Sequence, residues 1–547
     1  MSKLITSSLT WRFCVAVAAW LRSSWVGRAA ACMGRLWRQS AIYCFFARLL
    51  CSPGKVESSG YKRISDQINL SLRKAGGLMQ ESFFVGLCYR FYEKIRESFL
   101  LGKIFSRGFT AILLFIAAAY APIDYLLRDV LCLTAVASVW DELLILVCFV
   151  WVFLRRMDGD KRLTSRANSV DLFLAFYLLA GLILLYYTVS WLDVNITGFR
   201  ASMQYILLFF VIVRLIRDER DFMMMYRVMI FIAFAIALHG IWQFIIGVDI
   251  PEHWTDQAED SVRTRVFSIF SNPNIMGAYM LLFAPMSIGM AYHCENMGEK
   301  LFYWFCGICM CLGCLFTMSR GAWMALAVAA ILFSLIIDRK LFVLMMTGAV
   351  LACFLPFVRS RIGYLFTDAF AESNQRGGRA MRWATAFGYL DQENAWKLGL
   401  GYGIFGGAVA MQNQVSYYNY MYVDNYYVKT LAENGIVGLS CLLVALSGLL
   451  YNGAKACALT ARSSYKPPCA GMLAGLVGIL VQSFFESLWE EPYMMALFFI
   501  IAGMLVYAGF FLEKEEKERT EYVEKTYNKT SPADSDSDSL RSVGQVR

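Results

Sequence analysis

Apolar runs of about 20 residues, each bounded by charged or polar residues, recur along most of the chain and have the length of a helix that crosses a bilayer. The boundaries of these runs predict twelve membrane-spanning helices. The predicted spans are 109–127, 131–154, 171–190, 201–216, 228–247, 274–292, 301–317, 321–337, 341–357, 430–451, 470–488 and 492–511. The pattern therefore predicts an all-α polytopic membrane protein.

Composition agrees with a membrane environment. Of the 547 residues, 58% are hydrophobic and 17% are charged, which is more apolar surface than a soluble core can bury. The sixteen cysteines lie mostly in apolar runs or in segments that we assign to the cytoplasm, so no disulfide framework is implied. Cys306, Cys309, Cys311 and Cys314 have a spacing that zinc sites also use, but inside an apolar helix thiols favour packing as small apolar groups.

The distribution of basic residues predicts the orientation in the membrane. The loops at 155–170 and 214–227 are rich in arginine, whereas the loops at 191–200 and 489–491, on the opposite side, hold one basic residue and none. Basic loops stay on the cytoplasmic side, so we expect both termini in the cytoplasm. The connection 358–429, with its glycine and aromatic clusters, is then a large extracytoplasmic loop, which we expect to consist of short helices.

Two regions flank the membrane domain 108–511. Residues 1–107 contain seventeen Lys or Arg against five Asp or Glu, a net charge of +12. Aromatic residues alternate with arginines in WRFCVAVAAWLRSSW, which favours binding to the membrane surface over binding to nucleic acid. Residues 512–547 form a highly charged and then Ser/Asp-rich tail, for which we expect a cytoplasmic location and partial disorder.

Four arginines lie at or near the predicted outer face, where the distribution of basic loops does not explain them. They are Arg265, Arg320, Arg379 and Arg382. Charges at membrane depth are costly and are normally paired or functional, so lipid headgroups or structural ion pairs are the alternative to a binding site. Because the guanidinium fork matches phosphate oxygens, an anion site for a diphosphate is the functional interpretation. The outer loops offer no Asp-x-Asp pair or histidine cluster, so we predict no metal site and no cofactor.

Polar residues near the same face add candidates for catalysis and binding. Asp424 lies at a membrane entrance and is positioned to be a general base, or alternatively to cap the following helix. Its neighbours Asn425 and Tyr426 are candidate substrate-binding residues. Glu433 and Gly435 belong to a segment that has either a functional role or only a structural one, as a kink in the helix.

Two further outer segments carry candidate polar side chains. In SNPN, helix capping by asparagine is favoured, although the Asn274 amide could bind sugar hydroxyls. Glu486, Glu490 and Glu491 form an acidic patch, for which pairing with the arginines and catalysis are equally open. Of the three, we take Glu486 as a candidate substrate-binding residue.

Three segments, in order, resemble the bacterial O-antigen ligase and O-antigen polymerase family. They are RVFSIFSNPNIMGAYM, TMSRGAWMALAV, and the set GGRAMRW, LGLGYGIFGG and VDNYYVKTLAENGIVGL. The resemblance implies a multi-pass protein of the bacterial cytoplasmic (inner) membrane with a glycosyltransferase-C-like fold. It also implies inverting, metal-independent transfer of a glycan from an undecaprenyl-diphosphate carrier. The acceptor is lipid A core in the ligases and a second lipid-linked unit in the polymerases. The arginines of two family motifs match Arg320 and Arg379, which would bind the diphosphate.

One departure from the family pattern bears on the acceptor. Many ligases carry a His–Asn pair where this chain has Asp424–Asn425. Asp424 could replace the histidine as base, and the difference favours a polymerase or another polysaccharide-assembly enzyme over a lipid A-core ligase. A small-anion transporter and a non-catalytic assembly protein are the alternatives. A transporter would need charges or broken helices at the bilayer midplane, whereas the charges here lie at the outer rim.

Overall fold

The computed structural model describes residues 59–80, 108–157, 165–187, 192–249, 264–368, 378–413 and 422–515, with the isolated residues 372 and 517. These residues form helices, single π- or 3₁₀-turns and loops, and no strand occurs among them. All of them belong to one of the two units of the chain, Ser58–Arg547. The expectations for the rest of the basic region 1–107, and for the tail beyond residue 515, fall outside the described residues.

Helices make up most of the described residues, and short helices form the described part of the connection 358–429. In chain order the helices are α1 (Gly60–Gln80), α2 (Gly108–Ala118), α3 (Tyr120–Tyr125), α4 (Thr134–Ala137), α5 (Trp140–Met157), α6 (Ser169–Tyr187), α7 (Leu192–Met203), α8 (Ile206–Leu215), α9 (Glu219–Ile246), α10 (Pro273–His293), α11 (Met297–Phe316), α12 (Arg320–Ile336), α13 (Arg339–Cys353), α14 (Pro356–Gly363), α15 (Arg379–Gln392), α16 (Gly407–Gln412), α17 (Tyr426–Leu459), α18 (Lys466–Gln482) and α19 (Pro492–Tyr507).

Several of these helices can cross a membrane. Among the described residues, seven helical stretches are long and apolar enough, and two bent pairs raise the number to nine. Helices α12 and α18 are apolar but shorter. The prediction of an all-α polytopic membrane protein is confirmed at this level. The count of twelve spans, the glycosyltransferase-C-like fold and the orientation stay predictions.

Proline explains both bent pairs. The axis turns by 76° between α2 and α3, and Pro122 in α3 has no N–H to donate to the carbonyl of Ala118. Between α13 and α14 the axis turns by 85°, and Pro356 begins α14 after an extended Leu355. The second bend ends the apolar helix α13 and starts a short helix that carries Arg361.

Among the seven candidate spans of the described residues, α10 is the most enclosed, with 89% of its most apolar 18 residues buried. Glycines of α18 let the two backbones approach, because a Cβ at Gly475 would lie 2.4 Å from the carbonyl oxygen of Leu282. Close packing through small residues is typical of helices in membranes. It brings the end of α18 to the start of α10, where the Gln482 Nε2 donates to the carbonyl of Asn274 at 2.9 Å.

Helix α17 contains a kink that receives a loop. Gly435 has φ 64° and ψ −170°, which is not helical and interrupts α17 at this residue. The backbone N–H of Gly401 donates to the carbonyl of Glu433 at 2.8 Å, and that of Ile436 donates to the carbonyl of Trp396 at 2.8 Å. The interpretation of this segment as a kink is confirmed. The kink pins the loop that precedes α16 to the first turns of α17.

A buried group of three charges holds the same region together. The Lys429 Nζ lies 3.0 Å from Glu433 Oε1 and 2.5 Å from Glu490 Oε1, and all three side chains are at most 12% exposed. The same ammonium group donates to the carbonyl of Gly406 at 3.3 Å. Buried charges persist only when they are paired, so this group joins α17, the loop before α16 and the turn at Leu488–Glu490.

Candidate functional site

The start of α10 supplies the first polar side chains of the site. Asn272 caps the helix, because its Oδ1 accepts from the backbone N–H of Asn274 at 2.8 Å, and Pro273 occupies the first helical position. The capping interpretation is thus confirmed for Asn272. Asn274 instead directs its amide away from the helix: its Oδ1 accepts from Arg265 at 3.1 Å and its Nδ2 donates to Glu486 at 2.6 Å.

The start of α12 supplies Arg320. Met318, two residues before it, has φ 55°, a left-handed conformation that turns the chain between α11 and α12. The guanidinium of Arg320 lies over the ring of Tyr364, 5.7 Å from its centroid. Asp424 also has a left-handed backbone conformation, with φ 50°. Backbone strain of this kind recurs at functional sites.

Four arginines from distant parts of the chain line one cavity of about 90 Å³. They are Arg265, Arg320, Arg361 and Arg379. The remaining lining residues are Asn274, Ser319, Gly321, Gln482, Phe485 and Glu486. Helices α10, α12 and α15 all begin at this cavity, so their N-terminal dipoles add positive potential to the guanidinium charges. The arrangement can bind an anion with several negative charges.

Backbone carbonyls hold two of these arginines in place. The Arg265 Nε donates to the carbonyl of Thr317 at 3.1 Å, and the side chain is buried. The Arg361 Nε donates to the carbonyl of Met318 at 3.0 Å. Each of these bonds uses one of the five N–H groups of a guanidinium and fixes the direction of the others. The site is therefore preorganised for a negatively charged ligand.

Asp424 borders the cavity through its arginine partners. Its Oδ2 lies 2.8 Å from Arg382 Nη1 and 3.7 Å from Arg379 Nε, and the side chain is 21% exposed. Burial raises the pKa of Asp424, while the charges of Arg382 and Arg379 oppose that rise. Because Arg379 also lines the cavity, it connects Asp424 with any anion that the cavity binds.

Asn425 and Tyr426, the neighbours of Asp424, have structural partners. The Asn425 Oδ1 accepts from the backbone N–H groups of Tyr427 and Val428 at 3.0 and 3.1 Å, so Asn425 is the cap of α17. The alternative that Asp424 caps this helix is therefore wrong. Tyr426 is buried, with its ring centroid 5.1 Å from that of Trp489. A substrate contact by Asn425 or Tyr426 stays a prediction.

The three residues of the acidic patch, Glu486, Glu490 and Glu491, lie in different environments. Glu486 lines the cavity, and burial raises its pKa to about 8, with a contribution from Asp424 that Arg379 and the Asn274 amide oppose. Glu490 pairs with Lys429. Burial raises the pKa of Glu491 to about 7, and Glu490 adds to that rise. Of the three acids, Glu486 is the one that lines the arginine cavity.

The structure therefore brings Arg265, Arg320, Arg379, Asn274 and Glu486 to one cavity and places Arg382 and Asp424 beside it. Sequence reasoning missed Arg361, Gln482 and the pairing of Lys429. A signal for Arg361 was present, since it follows Pro356 at the end of an apolar run on the predicted outer side. In the described part of the chain, no three His, Cys, Asp or Glu side chains group as ligands for a metal ion.

Comparison with known proteins supports the resemblance drawn from the motifs. Residues 305–443 match the family model described as O-Antigen ligase. The matched segment contains Arg320, Arg361, Arg379, Arg382 and Asp424, whereas Arg265, Asn274 and Glu486 lie outside it. No curated protein matches the chain. The match indicates glycan transfer of the O-antigen ligase and polymerase kind by a multi-pass membrane protein. Residues 305–443 of this chain are thus similar to the O-Antigen ligase family.

Proposed function

We propose that the protein transfers an undecaprenyl-diphosphate-linked oligosaccharide to an acceptor hydroxyl at the outer face of the bacterial cytoplasmic membrane, without a metal ion and with inversion at the anomeric carbon. One observation carries the proposal. Four arginines from separate segments converge on one cavity, and one of them, Arg379, also contacts the carboxylate of Asp424. A phosphate-binding group and a base thus lie side by side, as a transfer with a diphosphate leaving group requires.

The reaction follows from these positions. The acceptor hydroxyl oxygen attacks the anomeric carbon, and Asp424 takes the hydroxyl proton. The bond between the anomeric carbon and the diphosphate oxygen breaks, and the lipid diphosphate leaves with the electron pair. The arginines compensate the negative charge that develops on the leaving group, a role that a divalent cation has in other phosphate-transfer sites.

Donor binding and the activation of Asp424 are coupled in this arrangement. Asp424 is 2.8 Å from Arg382 and 3.7 Å from Arg379. A diphosphate in the cavity competes for Arg379, whose contact with Asp424 is the longer one. Loss of that contact removes a nearby positive charge from Asp424 and increases its affinity for a proton. The base is then strongest when a donor is present.

The principal test uses the purified chain with undecaprenyl-diphosphate-linked glycan in the presence of EDTA. We expect the wild type to release lipid diphosphate and to lengthen or transfer the glycan. Arg379→Ala should lower the rate by about 10²–10³-fold, the usual effect of removing one group that stabilises developing negative charge. Activity that disappears on chelation and returns with Mg²⁺ would contradict metal independence. Failure of the wild type with every lipid-linked donor would contradict the transferase proposal.

The acceptor decides between polymerase and ligase. The Asp424–Asn425 pair in place of His–Asn favours the polymerase. A ladder of glycan lengths with lipid-linked donor alone would support this choice. Transfer that requires lipid A core would contradict it. Comparing the anomeric configuration of the donor and the product by NMR tests inversion separately.

Arg361 and Arg359 provide a matched pair on one short helix. Arg361 lines the cavity, whereas Arg359 is exposed. We expect Arg361→Ala to weaken donor binding by about tenfold to a hundredfold, the range for loss of a charge-assisted hydrogen bond of about 1.5–3 kcal/mol. Arg359→Ala should bind the donor like the wild type. Equal affinities for the two variants would show that Arg361 does not contact the diphosphate.

A further inference from the structure

Glu486 is an acid in a cavity built from cations. The residue follows the end of α18 and is 8% exposed, and its Oε2 accepts from the Asn274 Nδ2 at 2.6 Å. It lines the cavity together with the four arginines. An anion that binds the arginines therefore lies next to the carboxyl group of Glu486. The consequence for Glu486 rests on the proposed function, which assigns the cavity to the donor diphosphate.

An ionised Glu486 and a bound diphosphate would repel each other. Like charges a few ångströms apart in a buried site strongly disfavour double ionisation. A protonated carboxyl removes this repulsion and also has an O–H that can donate to a diphosphate oxygen, while its other oxygen still accepts from Asn274. We propose that Glu486 carries a proton whenever the lipid diphosphate occupies the cavity, so that donor binding takes up one proton at every pH at which Glu486 is ionised in the empty cavity.

The charges around Glu486 support this coupling. Asp424 and Glu491 both favour the protonated form of Glu486, whereas Arg379 and the Asn274 amide favour the ionised form. Burial has the largest effect and raises the pKa of Glu486 to about 8. A diphosphate would neutralise the arginines and add negative charge, and both changes raise this pKa further.

No other group that lines the cavity is expected to change charge in the same pH range. The four cations that line the cavity are guanidinium groups, a type of side chain that is not deprotonated in proteins. Tyr422 interacts with Glu486, and burial, with further contributions from Glu490 and Glu491, raises the pKa of its hydroxyl above the ordinary value of a tyrosine. Tyr422 is therefore neutral where Glu486 ionises.

The sign of the pH dependence follows from proton linkage. Below about pH 8 Glu486 is already protonated, so donor binding takes up no proton and the affinity is independent of this group. Above this pH the protein without donor holds an ionised Glu486 that must gain a proton on binding. The dissociation constant should then rise about tenfold for each pH unit.

Binding of undecaprenyl diphosphate to the full-length chain, measured from about pH 6.5 to about pH 9.5, tests the proposal. We expect the wild type to lose affinity above about pH 8 and Glu486→Gln to vary less than about threefold over the same range. Glu393→Gln is the matched control, since Glu393 is an exposed acid just after α15 and outside the cavity. It should follow the wild type. Ionisation of the ligand affects all three proteins equally and cancels in the comparison.

Calorimetry on the wild type gives a second measurement that does not depend on a variant. Titrations in two buffers with different ionisation enthalpies should report uptake of about one proton above the pKa of Glu486 and almost none at about pH 6.5. A pH-independent affinity of the wild type, or the same slope in Glu486→Gln, would overturn the inference. Absence of binding by the wild type at every pH would contradict the proposed function, and the inference with it.

Discussion

Replacing Asp424 with asparagine is expected to lower the rate of glycan transfer by about 10²–10⁴-fold, the contribution of a positioned general base. Asparagine has the same shape but cannot take the proton of the acceptor hydroxyl. It also tolerates the left-handed backbone conformation that Asp424 adopts, with φ 50°. The fold should survive, and the donor should still bind because the cavity keeps its four arginines.

The measurement is the single-turnover rate of diphosphate release at saturating donor, together with the donor dissociation constant. Asp193→Asn, at an exposed position in the first turn of α7, is the control for removal of an acidic charge. A normal rate for Asp424→Asn would exclude Asp424 as the base. Loss of the cap of α17 cannot explain a slow variant, since Asn425 caps that helix and is unchanged.

Replacing Gly435 with alanine is expected to prevent correct folding of the site. The backbone at Gly435 has φ 64° and ψ −170°, a region that is essentially restricted to glycine. A Cβ there would lie 2.3 Å from the carbonyl oxygen of Lys397 and 2.6 Å from the backbone nitrogen of Leu398. Neither neighbour is a flexible side-chain end, so the loop must leave the kink. We expect a loss of stability of more than about 3 kcal/mol.

Thermal unfolding in detergent, followed by size-exclusion chromatography, measures this effect. Gly348→Ala is the control, because Gly348 lies in α13, where an added Cβ would meet no atom within 4 Å, and should accept alanine without loss. A melting temperature for Gly435→Ala equal to that of the wild type would show that the loop and the kink are not tightly coupled. Full activity in this variant would show that the site does not depend on the kink.

The helical membrane architecture was predictable from the chain because lipid imposes a simple rule. A backbone without water partners must satisfy its hydrogen bonds internally, so apolar runs of about 20 residues become helices. Each predicted span overlaps a described helix or helix pair, but some ends were wrong: α9 begins at Glu219 rather than near 228, and α17 continues to Leu459 rather than ending near 451. The bends were not foreseen, since the apolar pattern of 109–127 and 341–357 continues across the positions where Pro122 and Pro356 interrupt the hydrogen bonds.

Part of the candidate site was also predictable. Arg265, Arg320 and Arg379 could be singled out because they lie on the predicted outer side. The positive-inside rule explains basic residues on the cytoplasmic side only. Asn274 and Glu486 were predicted because they are polar residues near the ends of predicted helices. Their presence in one cavity depends on the packing of α10 against α18, in which contacts between distant parts of the chain bring Asn274 to Gln482 and Glu486.

Residue type and spacing thus established that helices cross a membrane, which side chains are costly to bury there and which of them match a known family. These properties can be read from the sequence because they depend on consecutive residues and on the free energy of moving each side chain from water to lipid. Tertiary packing assigned the partners: Asn425 rather than Asp424 caps α17, Lys429 pairs with Glu490, Arg361 enters the arginine cavity, and Glu486 faces it. Charges interact over a few ångströms in space, so their pairing follows from the folded arrangement and not from their order along the chain.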